Sequence, residues 1–328
     1  PNPKPQTPNP KPQTPCVLMD KLAKDLKGLS VDGTATGYIY HPDMLLHALS
    51  LENEEVAKSH VENPYRLRSI IERFEKSGLD KLCDKINSYD PCPKELVAMV
   101  HPERYYDLVD GFYDKNKVPG EDIVSQGDIY AAKGTSRAAR LAVATMKIAV
   151  DKIFKKEWRN CFAAVRPPGH HAAIKEKPSG FCFFNNVAVA ARYAQKTYGV
   201  KRVAIFDWDA HHGNGTQEVF YNDNSVLFIS VHRHNNGYFY PGASGALKNL
   251  GEGNGLGYNL NLPWNVSSSN DYKVPDDAEY IYSFDRLIFP ILQQFNPEFM
   301  IISAGFDSAE GDPLGDLGVT QDGRIHLS

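Results

Sequence analysis

The residues best suited to chemistry lie at 207–213, where the chain reads Asp-Trp-Asp-Ala-His-His-Gly directly after the apolar run at 202–206. Alternate side chains of a strand share a face, so we expect Asp207, Asp209 and His211 to project together. Carboxylates and imidazoles are common metal ligands, and ligands of open α/β sheets bind beyond the carboxyl ends of the strands. The spacing therefore predicts half of a metal site.

Other polar motifs follow further strand-like runs. Adjacent His170 and His171 stand on a Pro-Pro-Gly turn, and they suit an acid/base pair better than two ligands of one metal, because imidazole titrates near neutral pH. The remaining motifs are Gly-Phe-Cys-Phe-Phe-Asn-Asn at 180–186, Ser-Val-His-Arg-His at 230–234, Gly-Tyr-Phe-Tyr-Pro-Gly at 237–242 and Ser-Ala-Gly-Phe-Asp at 303–307.

Each motif taken alone has a plainer interpretation. A His-His pair often lies on the surface, an Asp-x-Asp at a strand end commonly caps the next helix, and Asp307 with Asp312 fits turn chemistry. Phe181 and Tyr240 fit a hydrophobic core as well as a channel. Four of the motifs, at 170–171, 207–213, 230–234 and 303–307, follow successive predicted strands of one sheet. Their occurrence together favours the functional interpretation.

The apolar pattern predicts the elements that position these residues. Apolar strands that alternate with amphipathic helices indicate an α/β fold with a mostly parallel sheet and helices on both faces. The glycine-rich stretch at 247–258 precedes a strand rather than opening a helix, so we interpret it as a plain loop. Strands are predicted at 161–165, 203–207, 226–231, 258–262 and 299–303, and helices at 64–78, 134–156, 185–198 and 277–294.

The composition narrows the classes of partner. The net charge is −4 over 328 residues, without a basic stripe, which argues against a nucleic-acid surface and favours a peptide or small-molecule partner. No apolar run reaches about 18 residues and no leader pattern is visible, so we expect neither a membrane span nor a signal peptide. Five cysteines without CxxC spacing indicate a reducing compartment, cytoplasm or nucleus.

The chain divides into three parts. Residues 1–15 repeat Pro-Asn-Pro-Lys-Pro-Gln-Thr twice and end in Pro15. Proline at nearly every second position excludes helix, so this part is predicted to be a disordered or polyproline-II tail, either native or introduced. Residues 16–35 are predicted to be a linker, and 36–328 a single compact domain.

Together these motifs resemble the zinc-dependent histone deacetylases of the class II type, within the arginase/deacetylase superfamily. The resemblance covers about residues 36–320. It implies a three-layered α/β fold and one catalytic Zn²⁺ held by Asp209, His211 and Asp307. Such a set leaves an open position for water, which a hydrolytic zinc site needs.

The family's tandem histidines match His170 and His171. By this resemblance Asp207 orients His170, Asn214 stands beside His171, and Zn²⁺ polarises the acetyl carbonyl and acidifies water. His171 then takes the water proton and later protonates the departing lysine amine. Asn214 in place of aspartate is the class II pattern, as is Val-His-Arg at 231–233. A neutral amide should leave the pKa of His171 closer to its unperturbed value.

The resemblance also implies a substrate tunnel and an exit. Phe181 and Tyr240, with Gly180 beside the first, would form the walls around the lysine methylenes. The family has phenylalanine at the second wall position, so Tyr240 would add a polar contact. Arg66, in Asn-Pro-Tyr-Arg, matches an arginine near the acetate exit.

Structural K⁺ is a further implication. One ion would lie behind the zinc, and a second would lie further along the chain. The residues of the first would be Asp207, Asp209, His211, Ser230 and Val231, and those of the second Phe220, Asp223, Val226 and Tyr258.

Two family patterns are absent from the chain. The related ureohydrolases bind two Mn²⁺ through extra carboxylates, and Gly213 and Gly305 occupy those positions here, so a single-metal deacetylase is favoured. The family completes its site with a tyrosine in a Gly-Gly-Tyr segment, or with histidine in one subgroup, beyond the position of Ser328. We therefore expect the catalytic domain at 36–328 to be C-terminally incomplete.

The expected activity is hydrolysis of the acetyl amide of N-acetyl-lysine in histones or other proteins, with release of acetate. Corepressor proteins are expected partners, in the nucleus or the cytoplasm. Two alternatives stay open. One is an acyl-lysine-binding scaffold without turnover, and the other is an acetylpolyamine deacetylase. The acidity of Glu52, Glu54 and Glu55 in the 45–63 loop would favour the second, although such clusters are usually solvated surface.

Overall fold

The computed structural model describes residues 35–111, 123–126, 129–174, 177–266 and 274–323. The predicted tail at 1–15 lies outside these residues, as does the linker at 16–35 except for its last residue. No helix among the described residues is both long enough and apolar enough to cross a bilayer.

The described strands form two parallel sheets and one antiparallel hairpin. The sheet orders are β2-β1-β5 and β8-β7-β6-β9, and β3 pairs with β4 in the hairpin. The strands are β1 Ala35–Ile39, β2 Asp84–Ile86, β3 Ile123–Gln126, β4 Ile129–Ala132, β5 Trp158–Ala163, β6 Val203–Asp207, β7 Val226–Arg233, β8 Asn259–Trp264 and β9 Phe299–Ser303.

Helices connect and cover these strands. The α-helices are α1 Glu54–Lys58, α2 Pro64–Ser77, α3 Lys94–Val97, α4 Glu103–Asp110, α5 Thr135–Phe154, α6 Asn186–Tyr198, α7 Asn214–Phe220, α8 Asp277–Ser283 and α9 Phe289–Phe295. A π-helical turn at Phe284–Ile288 joins α8 to α9, and short 3₁₀ turns lie at Pro42–Leu46, Leu79–Lys81, Asn235–Gly237 and Gly253–Gly255.

Local sequence signals determine the ends of α2. The side chain of Asn63 accepts a hydrogen bond from the backbone N–H of Tyr65, and Pro64 occupies the first turn, where its missing N–H costs nothing. The helix ends at Gly78, whose φ of 73° lies in the left-handed region. These three residues explain why the predicted helix at 64–78 forms within one residue of its expected bounds.

The four-stranded sheet is the middle of three layers. Successive side chains of its strands point to opposite faces, and both faces are apolar. Residues on one face, such as Phe206 and Ile229, pack with Leu292 of α9. Residues on the other face, such as Ile205 and Phe228, pack with the alanine-rich side of α6. Helices on both sides of a parallel sheet confirm the predicted α/β class.

The carboxyl ends of neighbouring strands in this sheet meet at one edge. Asp207, the last residue of β6, pairs in register with Ser230 of β7 and with Ser303 of β9. The turns after β6 and β9 therefore begin side by side. This edge is where the predicted metal ligands Asp209 and Asp307 follow their strands.

Candidate active site

A ladder of side-chain to backbone hydrogen bonds shapes the turn after β6. The strand ends at Asp207, so the strand alternation expected for Asp209 and His211 does not extend to them. Instead the N–H of Asp209 donates to Oδ1 of Asp207 (3.1 Å), and the N–H of His211 donates to Oδ1 of Asp209 (2.8 Å). Both are Asx-turns, in which an aspartate carboxylate accepts the N–H two residues later. They link Asp207 to Asp209 and Asp209 to His211.

Asp209, His211 and Asp307 converge on one point. Nδ1 of His211 lies 2.7 Å from Oδ2 of Asp307 and 3.1 Å from Oδ1 of Asp209. The ligand atoms of the three residues all lie within 4.8 Å of one another. The other oxygen of Asp307 accepts the N–H of Ala210 (2.7 Å), which fixes that carboxylate. Two carboxylates and one imidazole aimed at a common point fit a zinc ion with an open position.

Two glycines leave space for these carboxylates. A Cβ on Gly305 would collide with the carboxylate of Asp209, and a Cβ on Gly213 would lie 2.6 Å from Oδ2 of Asp207. Larger side chains at either position would require the carboxylates to move. The close approach accounts for glycine at these two positions.

The tandem histidines lie beside this cluster and have different partners. Nδ1 of His170 lies 2.9 Å from Oδ2 of Asp207, a carboxylate without solvent exposure, and Nδ1 of His171 lies 2.7 Å from Oδ1 of Asn214. The two imidazole centroids are 4.0 Å apart, and the ring of His171 is 6.1 Å from that of His211. The structure therefore brings both histidines and both predicted orienting residues into one site.

The two histidines differ in charge. Burial alone would lower the pKa of His170, but the carboxylates of Asp207 and Asp209 outweigh it and raise that pKa to about 9. Burial and the positive charge of His170 hold the pKa of His171 well below its ordinary value. These two effects lower the pKa of His171, and the neutral amide of Asn214 adds no charge that would offset them as an aspartate would. The directions of the two pKa shifts favour a protonated His170 and a neutral His171.

Two of the three predicted tunnel residues lie against His171. A Cβ on Gly180, whose φ is 56°, would collide with the His171 ring and lie 2.9 Å from the Tyr240 hydroxyl. The Tyr240 ring meets the His171 ring edge to face at 5.0 Å. Phe181 has a φ of 65° and packs against His60 at 5.2 Å. Gly180 and Tyr240 thus lie against the histidine, whereas the ring of Phe181 packs against His60.

The residues predicted for potassium lie close to the same strands. Ser230 is buried, and its Oγ lies 2.8 Å from Nδ1 of His232. The carboxylate of Asp223 accepts hydrogen bonds from Arg192 and Ser225. The carbonyl of Tyr258 accepts the N–H of Phe228. Phe220, Val226 and Val231 are buried members of the sheet and its adjacent helix. Both potassium sites stay predictions.

Arg66 is half exposed on α2, and its closest partner is Glu62, at 3.7 Å. Glu62 belongs to a buried network that sequence reasoning missed. Nη2 and Nε of Arg166 reach its carboxylate at 2.8 and 2.5 Å, and Nη2 reaches the hydroxyl of Tyr130 at 2.7 Å. Arg166 also bonds to the carbonyl oxygens of Met44 and His47. The sequence signal that could have indicated this network is Arg166, a charged residue between strand β5 and the Pro-Pro-Gly turn.

The sequence from residue 60 to 327 matches the model of the histone deacetylase domain. Histone deacetylase 6 of Caenorhabditis elegans is 42% identical over 270 residues, which is 80% of this chain and 27% of that protein. Histone deacetylase 15 of Arabidopsis thaliana is 42% identical over 304 residues, which is 92% of this chain and 51% of that protein.

A solved structure described as the HDA15 HD domain superposes with a TM-score of 0.80 at 41% identity. The superposition covers 90% of this chain and 78% of the solved chain. The chain thus spans between about a quarter and about half of the length of these two curated relatives, and most of the length of the solved domain.

Proposed function

The chain belongs to the histone deacetylase family, and from this premise we propose that it is a zinc-dependent amidohydrolase that removes acetyl groups from lysine side chains of proteins. The observation that carries the proposal is that a cluster of three possible metal ligands lies beside a buried pair of histidines. Asp209, His211 and Asp307 form the cluster, and the ring of His171 lies 6.1 Å from that of His211.

The chain's own residues divide the proton transfers between them. Asn214 presents its amide oxygen to Nδ1 of His171, so Nδ1 carries the hydrogen and Nε2 holds the lone pair. We assign to Nε2 the acceptance of the water proton and its return to the lysine amine. His170 keeps its proton through Asp207 and supplies a positive charge beside the reacting carbonyl.

The metal would be held by Asp209, His211 and Asp307. A zinc ion in this position supplies Lewis-acid chemistry, because it polarises a carbonyl oxygen and makes water more acidic. Gly180, Phe181 and Tyr240 would enclose the lysine methylenes and keep bulk water from the site. We further assign Arg66 to the acetate exit, one K⁺ to the residues around Ser230, and a second K⁺ to those around Tyr258.

We infer the substrate class, partners and place of action from the family. Acetylated lysines are the substrate class, with histone tails as the first candidates, corepressor proteins as partners, and the nucleus or cytoplasm as the place of action. The acetylpolyamine alternative, which the acidity of the 45–63 loop would favour, receives little support from the described residues. Glu54 pairs with Lys58 on exposed α1, and Glu52 and Glu55 are also exposed. That pattern is typical of a solvated helix face.

The test measures acetate release from an acetyl-lysine peptide, with zinc quantified in the same sample. We expect turnover at one zinc per chain. Asp209→Ala should lose zinc and activity together, whereas His171→Ala should keep zinc and lose about 10²–10⁴-fold in rate, the usual worth of a general acid/base. Asp90→Ala, which removes an exposed carboxylate, should change neither.

Retained zinc and activity in Asp209→Ala would overturn the ligand assignment. Zinc-loaded wild-type protein that binds the peptide without releasing acetate would support the binding-module alternative instead. Faster turnover of acetylspermidine than of the peptide would support the polyamine alternative.

A further inference from the structure

The loop that carries the tandem histidines is tied down along its backbone. The carbonyl of Gly169 accepts the N–H of Ala172 (3.0 Å), and the carbonyl of His170 accepts the N–H of Thr216 (3.1 Å). Thr216 belongs to the first turn of α7, and the same turn begins with Asn214, the partner of His171. One helix turn therefore contacts both the backbone and a side chain of the loop.

Two adjacent asparagines hold the two ends of the same loop. Nδ2 of Asn186 donates to the carbonyl of Pro167 before the histidines (3.2 Å), and Nδ2 of Asn185 donates to the carbonyl of Ala172 after them (3.2 Å). Both asparagines are buried, with 0% and 4% exposure. A buried amide that donates to a loop carbonyl constrains that loop, because breaking the bond leaves a buried carbonyl without that partner.

The side chain of Asn185 has two separate functions. Its Oδ1 caps α6 by accepting the N–H of Ala188 (3.0 Å), while its Nδ2 reaches both Ala172 and Oγ1 of Thr216 (3.1 Å). The backbone N–H of Asn185 donates to Nε2 of buried His101 (2.9 Å), which fixes the asparagine in turn. The amide nitrogen thus joins the histidine loop to the turn of α7.

Glycines bring these pieces into close contact. A Cβ on Gly169 would lie 2.6 Å from the carbonyl oxygen of Phe184, and a Cβ on Gly215 would lie 2.5 Å from the carbonyl of Ala172. The loop therefore lies directly on the start of α6 on one side and on the start of α7 on the other.

We propose that Asn185 and Asn186 are positioning residues that set the register between the His170–His171 loop and Asn214. Neither contacts the metal ligands or the substrate tunnel in the contacts described above. They act through backbone carbonyls, and Asn185 keeps the His171 ring aligned with the amide oxygen of Asn214. The proposal rests on the proposed function only for its kinetic readout.

The test uses variants that separate positioning from folding. Asn185→Ser keeps a good helix cap but cannot reach Ala172, and Asn186→Leu removes the donor to Pro167 while keeping the same branching and number of side-chain heavy atoms. We expect kcat to fall about 10–100-fold in each, because a displacement of about 1 Å can cost about 10²-fold. KM should stay within about threefold and zinc at one per chain.

The matched control is Gln195→Ala, which removes an amide from the same helix that bonds to Ser225 rather than to the loop. It should keep the wild-type kcat. A kcat within twofold of wild type for both Asn185→Ser and Asn186→Leu would overturn the proposal, and so would a KM that rises in place of a fall in kcat.

A second readout does not depend on turnover. In ¹⁵N-histidine-labelled protein the wild-type His171 should show the tautomer with hydrogen on Nδ1, as its bond to Asn214 requires. Asn185→Ser should change this signal and leave that of His232 unchanged. An unchanged His171 signal would overturn the proposal even if the wild-type protein released no acetate, an outcome that by itself counts only against the proposed function.

Discussion

At the scale of single residues, the two active-site histidines differ in the partner of their Nδ1 atoms. His170 faces a carboxylate and holds a proton, whereas His171 faces an amide and has a lowered pKa. Burial and the neighbouring imidazolium act in the same direction on His171. The amide of Asn214 orients this ring without a charge that would oppose them, which suits a residue that must begin the reaction as a base.

Asn214→Asp should move the acidic limb of the kcat/KM profile to higher pH. A carboxylate within hydrogen-bond distance favours the imidazolium and typically shifts a pKa by about 1–3 units. Raising the pKa of His171 means that its neutral form is lost at a higher pH as the pH falls. A pH–rate series from pH 5 to 9 measures the shift. Asn214→Ala should give no upward movement, and an acidic limb that stays put in Asn214→Asp would contradict the assignment of His171 as base.

At the scale of elements, Trp158 binds three strands together. It lies at the start of β5, its ring covers Gly37 of β1, and its Nε1 donates to Oδ2 of Asp84 in β2 (2.7 Å). The ring can cross the central strand only because residue 37 has no Cβ. The small sheet therefore depends on one glycine and one tryptophan.

Gly37→Ala should destabilise the protein by ~1–3 kcal/mol, the usual cost of overpacking a filled site. Alanine would otherwise be favoured over glycine in a strand, so the sign itself is informative. Urea denaturation measures the change. In a Trp158→Leu background the same substitution should cost much less, because contacting sites are not additive. Equal costs in both backgrounds would show that the ring is not the cause.

The sequence is most informative where an element is continuous and apolar. Strands β6 and β9 match their predicted bounds to the residue, because Val203–Asp207 and Phe299–Ser303 begin as unbroken apolar runs within a buried sheet. Strand β1 was missed since Gly37 interrupts it, and β2 was missed since it has three residues and two charges. The helix predicted at 277–294 is interrupted by a π-helical turn, and Pro290 follows that turn without an N–H to donate.

The site residues were predictable to the extent that their types are specific. Two aspartates and a histidine beyond a buried strand are unusual, so Asp209 and His211 attract attention in the sequence. Asn185 and Asn186 do not, because asparagine at a helix start is ordinary capping chemistry. Their second role depends on Ala172 and Pro167, which the fold alone brings near.

At the scale of the whole molecule, the ion pair of Glu62 with Arg166 connects distant parts of the chain. Glu62 precedes α2, Arg166 opens the histidine loop, and both side chains are almost fully buried. Nη1 of the arginine also bonds to the carbonyls of Met44 and His47. Burial opposes ionisation of Glu62, yet the charge of Arg166 and the bond with His47 hold its pKa down, to about 2.

Glu62→Gln should therefore destabilise the protein by ~3–5 kcal/mol at pH 7, because it leaves a buried guanidinium without its counter-charge. A carboxyl group has an ordinary pKa of about 4.3, so the contribution of ionised Glu62 is complete above that pH and is lost as the pH falls from about 4.3 to about 2. Urea midpoints of both proteins between pH 7 and pH 2.5 should converge at the acid end. The matched control is Glu72→Gln, whose exposed pair with Lys76 is worth about 0–1 kcal/mol. A cost at pH 7 no larger than that of the control, or a difference that persists unchanged to pH 2.5, would show that the folded state does not depend on this pair.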